Sequence, residues 1–213
     1  MDTNFWHQKW KENEIAFHQP SANPLLVKYF QKLSLAKGSR VFVPLCGKTL
    51  DMAWLLANGY RVVGSELIET AVEQLFSELG VEPKISIIGK LKHYRAKDID
   101  ILVGDFFDLS QADLGLVDAI YDRAALVALP EEMRKHYAAH LVESSNGAPQ
   151  LLLCYEYDQS LMEGPPFSIS GKEVSRHYQE SYELEKLESA VVADGLKGLS
   201  DVKENVWLLH QSL

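Results

Sequence analysis

The feature that most constrains the fold is the alternation of short apolar runs with helical segments after residue 40. Several of these runs are apolar at every position rather than at every second one, which indicates strands buried on both faces of a sheet. The strand candidates are residues 41–43, 61–63, 101–103, 119–121, 151–153 and 206–209. Strand–helix alternation of this kind predicts a mostly parallel sheet with helices on both sides.

Helix boundary signals fall between these runs. Gly59 and Gly80 stand where helix C-termini need a left-handed residue. Pro130 is followed by two acids, as expected for the first helical position and first turn. Ser170 and Glu173 have the spacing of a capping box. The segments between the strands are therefore predicted to be helices.

The end of the chain departs from this alternation. Residues 182–190 mix polar and apolar positions, Gly195 and Gly198 follow, and the run at 206–209 comes last. Two late strands joined by a loop predict an antiparallel pair at the end of the sheet, which brings the expected total to seven strands. A plain dinucleotide-binding fold does not require this pair.

Residues 1–38 precede the first strand. Asn23 and Pro24 suit the N-cap and first position of a helix. Apolar residues then recur at helical spacing at Leu25, Leu26, Tyr29, Phe30 and Leu33, and the preceding segment contains the aromatic residues Phe5, Trp6, Trp10 and Phe17. We interpret residues 1–38 as a helical cap folded over the C-terminal edge of the sheet, within a single domain that spans residues 1–213.

The charge balance limits the class of partner. The chain has 30 acidic and 21 basic side chains and a formal net charge of −9. Nucleic-acid binding depends on clustered Lys and Arg, so this chain is not expected to bind nucleic acid. The densest basic stretch, residues 90–97, is predicted to be a solvated loop or helix face.

The remaining composition favours a cytoplasmic protein that is not held in a membrane. No apolar run approaches the roughly 18–20 residues that cross a bilayer, and the N-terminus lacks the pattern of a secretory signal. Cys46 and Cys154 are too few for a disulfide framework and lack metal-site spacing. No metal site is predicted, and a monomer is the expected state.

The turn after the first strand is the first place to look for a ligand, because ligands of open α/β sheets bind beyond the carboxyl ends of the strands. The turn reads Val-Pro-Leu-Cys-Gly-Lys over residues 43–48. Gly47 permits unusual backbone angles and a close approach of a ligand. A tight turn without a ligand explains this segment equally well.

An acid at the end of the second strand favours the ligand. Glu66 lies 19 residues after Gly47, and a carboxylate there can accept hydrogen bonds from both hydroxyls of a ribose. The alternative is a solvated acid at the start of a helix. After the third strand candidate, Asp105 and Phe106 offer a polar group and an apolar wall for an adenine ring, although a turn with core aromatics would look the same.

The turn also indicates which kind of cofactor to expect. A pyrophosphate favours a glycine-rich helix N-terminus with exposed N–H groups. Pro44 has no N–H, and Leu45 and Cys46 are bulky where such a turn has glycine. The pattern therefore favours a nucleoside without phosphates.

Several longer motifs are distinctive enough to be compared with known families. They are Trp-His-Gln-Lys-Trp at 6–10, Ala-Phe-His-Gln at 16–19, Pro-Leu-Cys-Gly-Lys at 44–48, Val-Gly-Ser-Glu at 63–66 and Asp-Arg-Ala-Ala-Leu-Val-Ala at 122–128. In order and spacing the chain resembles the thiopurine S-methyltransferases, well over residues 5–157 and more loosely in the final strands. The resemblance implies the Rossmann-like fold of class I methyltransferases, and methyl transfer from S-adenosylmethionine to the sulfur of a thiopurine or similar thiol, with S-adenosylhomocysteine as product.

The resemblance also implies roles for individual residues. Trp10, Leu45, Glu66 and Arg123 are expected to contact S-adenosylmethionine, and Phe17 the acceptor. Asp105 and Phe106 match the adenine-side pair, where the family commonly has a small polar residue and an aliphatic one. His18, next to Phe17, is expected near the acceptor, and Asp122 is a candidate to orient Arg123 or to accept a proton.

Other interpretations remain open. Bacterial relatives are associated with selenium and tellurium compounds, so these are alternative acceptors. A dinucleotide-dependent oxidoreductase and a catalytically silent methyltransferase fold that only binds ligands are rival functions. His136 and His140 are four residues apart, but without a third ligand they are expected to be ordinary helical histidines. Cys46 is expected to pack closely rather than to act as a nucleophile.

Overall fold

The computed structural model describes residues 3–12, 14, 19–193 and 195–211. The helices in this part of the chain are α1 (Thr3–Lys11), α2 (Pro24–Tyr29), α3 (Leu50–Ala57), α4 (Glu69–Leu79), α5 (Gln111–Leu114), α6 (Glu131–Ser144) and α7 (Gly171–Tyr178). The strands are β1 (Arg40–Val43), β2 (Arg61–Glu66), β3 (Lys84–Ile88), β4 (Leu91–Ala96), β5 (Ile99–Val103), β6 (Ala119–Arg123), β7 (Gln150–Glu156), β8 (Glu183–Val191) and β9 (Lys203–His210). Short 3₁₀ turns follow α2, β5, β6 and β7.

The strands form one sheet in the order β3-β4-β5-β2-β1-β6-β7-β9-β8. The five central strands, from β5 to β7, are parallel. β7, β9 and β8 are successively antiparallel, which confirms the predicted pair of late strands. The mostly parallel α/β sheet is therefore confirmed, and each of the six strand candidates lies within an observed strand.

The expected number of seven strands is wrong, because the described chain forms nine. The two additional strands, β3 and β4, form a hairpin that joins the sheet through β5. The basic stretch at 90–97, predicted to be a loop or helix face, is mostly strand β4. His93 and Tyr94 of this strand are buried, while Lys92 and Arg95 are exposed. The strand is only partly covered by the core, so its polar composition did not predict a strand.

Most helix boundaries follow the predicted signals. The Asn23 side chain accepts hydrogen bonds from the backbone of Leu25 and Leu26, and Gly80 ends α4 in the left-handed conformation. Two details differ. Pro130 is the N-cap of α6 rather than its first residue. The Ser170 hydroxyl caps α7 by accepting the Glu173 N–H. The predicted capping box is incomplete, because the Glu173 carboxylate bonds to other side chains and not to the Ser170 N–H.

The core lies on both faces of the sheet. One cluster packs α5, α6 and α7 against the sheet, and the other packs α2, α3 and α4 against its opposite face. Helix α2 thus lies on the flank of the sheet, whereas α1, through Trp10, packs against the start of α4 beside the strand ends. Among the described residues, every helix is too short or too polar to cross a bilayer.

Candidate active site

The bend after β1 is held against the end of β2 by hydrogen bonds. The Cys46 N–H donates to the carbonyl of Ser65 at 2.9 Å, and the Leu45 N–H donates to the Ser65 hydroxyl at 3.3 Å. Leu45 and Gly47 have φ angles of 46° and 52°, in the left-handed region that costs a side chain such as leucine energy. The bend is therefore a strained turn fixed by its neighbour strand, a feature that is common at ligand sites.

Glu66 connects this bend to the start of α4. One carboxylate oxygen accepts the Gly47 N–H at 2.6 Å, and the other accepts the Ile68 N–H at 2.8 Å. The residue is 7% exposed, and burial raises its pKa while the backbone N–H groups of Ile68, Gly47 and Leu67 partly lower it. A carboxylate has about four acceptor positions, so each oxygen keeps capacity for one more hydrogen bond. Glu66 is thus prepared to receive two further hydroxyl donors.

Trp10 from α1 packs directly on this bend. A Cβ added to Gly47 would lie 3.3 Å from the Trp10 ring, so glycine allows the close approach. Trp10 also packs with Ile68 and Ala71 at the start of α4 and is 8% exposed. The structure therefore brings together Trp10, Gly47 and Glu66, which are far apart in sequence.

A cleft opens beside the bend, toward the end of β5. Its lining comprises Leu45, Leu67, Asp105, Phe106, Phe107, Leu129, Met133 and Tyr137. Asp105 caps the 3₁₀ turn after β5 by accepting the Phe107 N–H at 3.0 Å. The Phe106 ring is 5% exposed, with its centroid 5.0 Å from those of Tyr137 and His140. Phe107, which the sequence reading did not single out, is the more exposed of the two rings, at 39%.

Asp122 was predicted to orient Arg123 or to accept a proton, and its hydrogen bonds among the described residues go to other groups than Arg123. The Asp122 carboxylate accepts the Tyr137 hydroxyl at 2.8 Å and the Leu126 N–H at 3.2 Å. Adjacent strand residues point to opposite faces of a sheet, so Arg123 lies on the other side. Asp122 is fully buried, and burial raises its pKa to about 6. This residue supports the turn after β6 from within the core.

Arg123 lies at the end of β6 and is partly buried. Within the part of the chain that the structure describes, its guanidinium forms no hydrogen bond or ion pair. The next residue, Ala124, has a φ of 65°, so the chain turns sharply after the arginine. Arg123 therefore presents donors at the carboxyl ends of the strands without a fixed protein partner there.

Two predicted acceptor residues, Phe17 and His18, lie outside the described residues. The remaining candidates fall into two groups. Trp10, Leu45, Gly47 and Glu66 lie together, with Asp105 and Phe106 across the cleft from Leu45. Arg123 lies at the end of another central strand, β6, which neighbours β1.

The structure adds polar residues that the sequence reading missed. Ser65 fixes the bend, and Asp51 on α3 accepts the Asn23 N–H at 2.7 Å and the Tyr121 hydroxyl at 3.0 Å. Ser65 was detectable as the polar residue before Glu66 in an otherwise apolar strand. Asp51 gave no such signal, because an acid in the first turn of a helix is ordinary.

Neither the two cysteines nor the histidines that the structure describes form a second site. Cys46 and Cys154 are buried free thiols, and burial raises the pKa of Cys46 well above its ordinary value, with the Glu66 charge adding to the effect. A thiol in this environment is a poor nucleophile. Among the described residues there is no cluster of three or more His, Cys, Asp or Glu side chains suited to a metal ion.

A comparison with solved structures identifies the class of fold. The crystal structure of 1,6-didemethyltoxoflavin-N1-methyltransferase from Burkholderia thailandensis, with 1,6-didemethyltoxoflavin and S-adenosylhomocysteine bound, matches with a TM-score of 0.68. The match covers 99% of this chain and 87% of that one at 13% identity, so the likeness concerns the fold alone. The fold is that of the class I methyltransferases.

Sequence comparisons identify the family. The thiopurine S-methyltransferase family model matches residues 1–212. Proteins named thiopurine S-methyltransferase from Xanthobacter autotrophicus and Teredinibacter turnerae are 50% and 52% identical, over 100% of this chain and 100% and 99% of their own lengths. The chain belongs to the thiopurine S-methyltransferase family and is a methyltransferase.

Proposed function

We propose that this protein transfers a methyl group from S-adenosylmethionine to the sulfur of thiopurines or similar aromatic and heterocyclic thiols. The observation that carries the proposal is the Glu66 carboxylate. It is buried beside the bend at Leu45–Gly47, anchored by two backbone N–H groups, and keeps one acceptor position free on each oxygen. The names of the relatives support the thiol as acceptor.

The shape of the bend supports a cofactor without phosphates. The Gly47 N–H already donates to Glu66, and Pro44 has no N–H to offer. A phosphate would therefore meet a carboxylate where it needs donors. Two vicinal ribose hydroxyls, in contrast, are donors that match the two free acceptor positions of Glu66. This contrast favours the nucleoside of S-adenosylmethionine over a dinucleotide.

The cleft beside the bend suits the base of the nucleoside. Leu45 and Leu67 supply apolar surfaces, and Phe107 is a partly exposed ring that an adenine can contact. One oxygen of Asp105 is held by the Phe107 N–H, which leaves the other available to an exocyclic amine. Phe106 serves mainly as the packed support of this wall, because its ring is almost entirely buried.

When bound, S-adenosylmethionine supplies a methyl group already activated by its sulfonium. The protein then has to hold the acceptor sulfur about 3–3.5 Å from the methyl carbon and in line with the bond that breaks. Positive charge on the donor disappears during transfer, so surroundings that exclude water favour the reaction. Trp10 excludes water from the bend and offers a ring face compatible with a cation.

Binding is the first test. In isothermal titration, S-adenosylhomocysteine is expected to bind and NAD to show no heat of binding under the same conditions. Binding of NAD alone would contradict the proposal and favour an oxidoreductase.

Turnover is the second test. Labelled S-adenosylmethionine is incubated with a thiopurine, an aromatic thiol, a selenol and a matched phenol. We expect methylation of the thiopurine and the aromatic thiol, and none of the phenol. Methylation of the selenol alone would make selenium the acceptor, and cofactor binding without methylation of any compound would indicate a silent binding protein.

A further inference from the structure

The strand register places a second acid, Glu204, on the same face of the sheet as Arg123, with β7 between their two strands. Arg123 on β6 pairs with Leu153 on β7, and two residues further along β7, Tyr155 pairs with Glu204 on β9. Side chains two residues apart on a strand share a face. Arg123, Tyr155 and Glu204 therefore lie on one face of the sheet, at the carboxyl ends of β6 and β7.

The surroundings of Glu204 resemble those of a proton acceptor. The residue is partly buried, and within the described chain its carboxylate has no ion pair within 4 Å. Burial raises the pKa of Glu204, the charge of Arg123 and a hydrogen bond from the Asn23 side chain lower it, and the charge of Glu188 raises it again, with a net increase.

The other groups near Glu204 are already engaged or are hard to ionise. Glu188 on β8 accepts hydrogen bonds from Lys28 and from the Tyr29 hydroxyl. Tyr155 has a raised pKa, mainly through burial and also through the charge of Glu204. The hydroxyl of Tyr121 is bonded to Asp51 rather than to Glu204. Among the described residues, Glu204 is thus a carboxylate on the same face as Arg123 that has no ion pair within 4 Å, and the hydrogen bond from Asn23 leaves it further acceptor positions for a proton donor.

We propose that Glu204 is a general base that takes the ring N–H proton from neutral heteroaromatic thiones while Arg123 holds the acceptor. The inference rests on the proposed function. It also divides the acceptors into two chemical classes, those that arrive ionised and those that arrive as the neutral N–H tautomer. An aromatic thiolate has no proton to lose, whereas methylation of a neutral thione must also release its ring N–H proton, and a base that takes this proton makes the sulfur more nucleophilic.

The proton and electron balance is as follows. The ring N–H bond breaks, its proton goes to the Glu204 carboxylate, and its electron pair forms the ring C=N bond. The C=S π electrons move to sulfur, which forms the new S–CH₃ bond while the C–S bond of the sulfonium donor breaks and its electrons return to the donor sulfur. The products are a neutral thioether and neutral S-adenosylhomocysteine, and Glu204 later releases the proton to water.

The kinetic test compares Glu204→Gln with Glu156→Gln. Glu156 is a partly buried acid on β7 next to Tyr155, so it points to the opposite face, where Asn205 donates to it at 2.9 Å. For a 6-thiopurine below its pKa, kcat/KM of Glu204→Gln is expected to fall about 100-fold, a usual value for loss of a general base. For an ionised aromatic thiol, such as 5-thio-2-nitrobenzoate, neither variant is expected to change by more than about threefold.

The pH profile gives a readout that a structural role would not change. With the thiopurine, the wild-type rate is expected to fall on the acidic side as Glu204 becomes protonated, at a pH above the ordinary range of a glutamate because its pKa is raised. Glu204→Gln is expected to lose this acidic limb, while Glu156→Gln keeps it.

A binding experiment tests the hydrogen bond without turnover. Isothermal titration of the protein saturated with S-adenosylhomocysteine compares a 6-thiopurine with its analogue methylated at the ring nitrogen. The wild type is expected to prefer the N–H compound about tenfold, and Glu204→Gln to lose the preference, because the charged acceptor of the N–H is gone. Thermal unfolding verifies that both variants fold.

The outcomes separate the inference from the proposed function. Equal losses for both acceptor classes, no loss for either, or an equal loss in Glu156→Gln would overturn the role of Glu204. Failure of the wild type to methylate any thiol would refute the proposed function instead. In that case the binding experiment still tests Glu204, because a preference for the N–H compound that is lost in Glu204→Gln shows that Glu204 accepts a hydrogen bond from the ring N–H group.

Discussion

The two sides of the candidate active site are built in different ways. The proposed cofactor side is the Glu66 carboxylate fixed by two backbone N–H donors, one from the bend at Gly47 and one from Ile68 at the start of α4. The proposed acceptor side, around Arg123, consists of long side chains from β6, β7 and β9, and the Arg123 guanidinium has no hydrogen bond within the described residues.

The difference indicates how each side recognises its ligand. Backbone groups in a strained turn cannot be exchanged by substitution, so the cofactor side is fixed in geometry and suited to one ligand. The proposed acceptor side depends on side chains that can be exchanged one at a time, so we expect substitutions there to alter the acceptor without changing the fold. Catalysis then needs the fixed side to aim the methyl group and the variable side to present the sulfur.

The largest expected effect is on the cofactor side. In Glu66→Gln, an amide NH₂ replaces one acceptor oxygen and faces either the Gly47 or the Ile68 N–H. The dissociation constant of S-adenosylhomocysteine is expected to rise about 100-fold, since hydrogen bonds to charged groups contribute about 1.5–3 kcal/mol. Isothermal titration measures this change.

Glu69→Gln is the matched control for this variant. Glu69 begins α4, three residues after Glu66, and bonds to Lys92 and Tyr94 instead of to the bend. Its affinity for S-adenosylhomocysteine should equal that of the wild type. Similar losses in both variants would mean that Glu66 acts through the stability of α4 and not through the cofactor.

A somewhat smaller effect is expected on the acceptor side. Arg123→Ala should lower kcat/KM for a thiopurine about 50-fold, because a charged donor facing the acceptor is lost. The midpoint of thermal unfolding should stay unchanged, since within the described chain the guanidinium holds no partner. Steady-state kinetics and a thermal melt measure the two quantities.

This variant also separates the two roles that Arg123 can have. If Arg123 serves the acceptor, the affinity for S-adenosylhomocysteine is unaffected, and weaker binding would assign the residue to the cofactor. The control is Arg61→Ala. Arg61 is the first residue of β2, at the amino-terminal ends of the parallel strands, and donates to the Gly38 carbonyl there. Unchanged turnover in Arg123→Ala would remove this residue from the site.

The smallest expected effect is on the free energy of unfolding and concerns Asp122, which supports the turn after β6. Its pKa in the folded protein is about 6, above the ordinary value of 3.8, so the folded state holds the proton more tightly than the unfolded state. This stabilising contribution is complete below the ordinary pKa and is lost as the pH rises through 6. Linkage gives a loss of about 2 kcal/mol between pH 4 and pH 6.

Asp122→Asn tests this dependence because an amide does not titrate in that range. Urea unfolding at several pH values should show that the free energy of unfolding of the variant falls less between pH 4 and pH 6 than that of the wild type. Identical pH dependence in the two proteins would show that Asp122 keeps its charge in the folded state despite its burial.

The sequence predicted the central sheet because its strands are apolar over their full length. It did not reveal β3 and β4, whose mixed composition suits strands that are only partly covered. It singled out Gly47, Glu66 and Asp105 because each lies at or just after the end of a strand that could be recognised. It could not locate Glu204, since a single acid in a late strand becomes meaningful only through its register with β7.

Local chemistry alone thus determined the order of the central elements, the bend without phosphate donors and the acid at the end of β2. These follow from hydrophobic patterning and from the conformational limits of glycine and proline, which act over a few residues. The tertiary structure decided that Asp122 bonds to Tyr137 in the core, that Arg123 shares the opposite face of the sheet with Glu204, and that Trp10 packs on Gly47. Those relations depend on strand register and side-chain packing between distant segments, which no short stretch of sequence specifies.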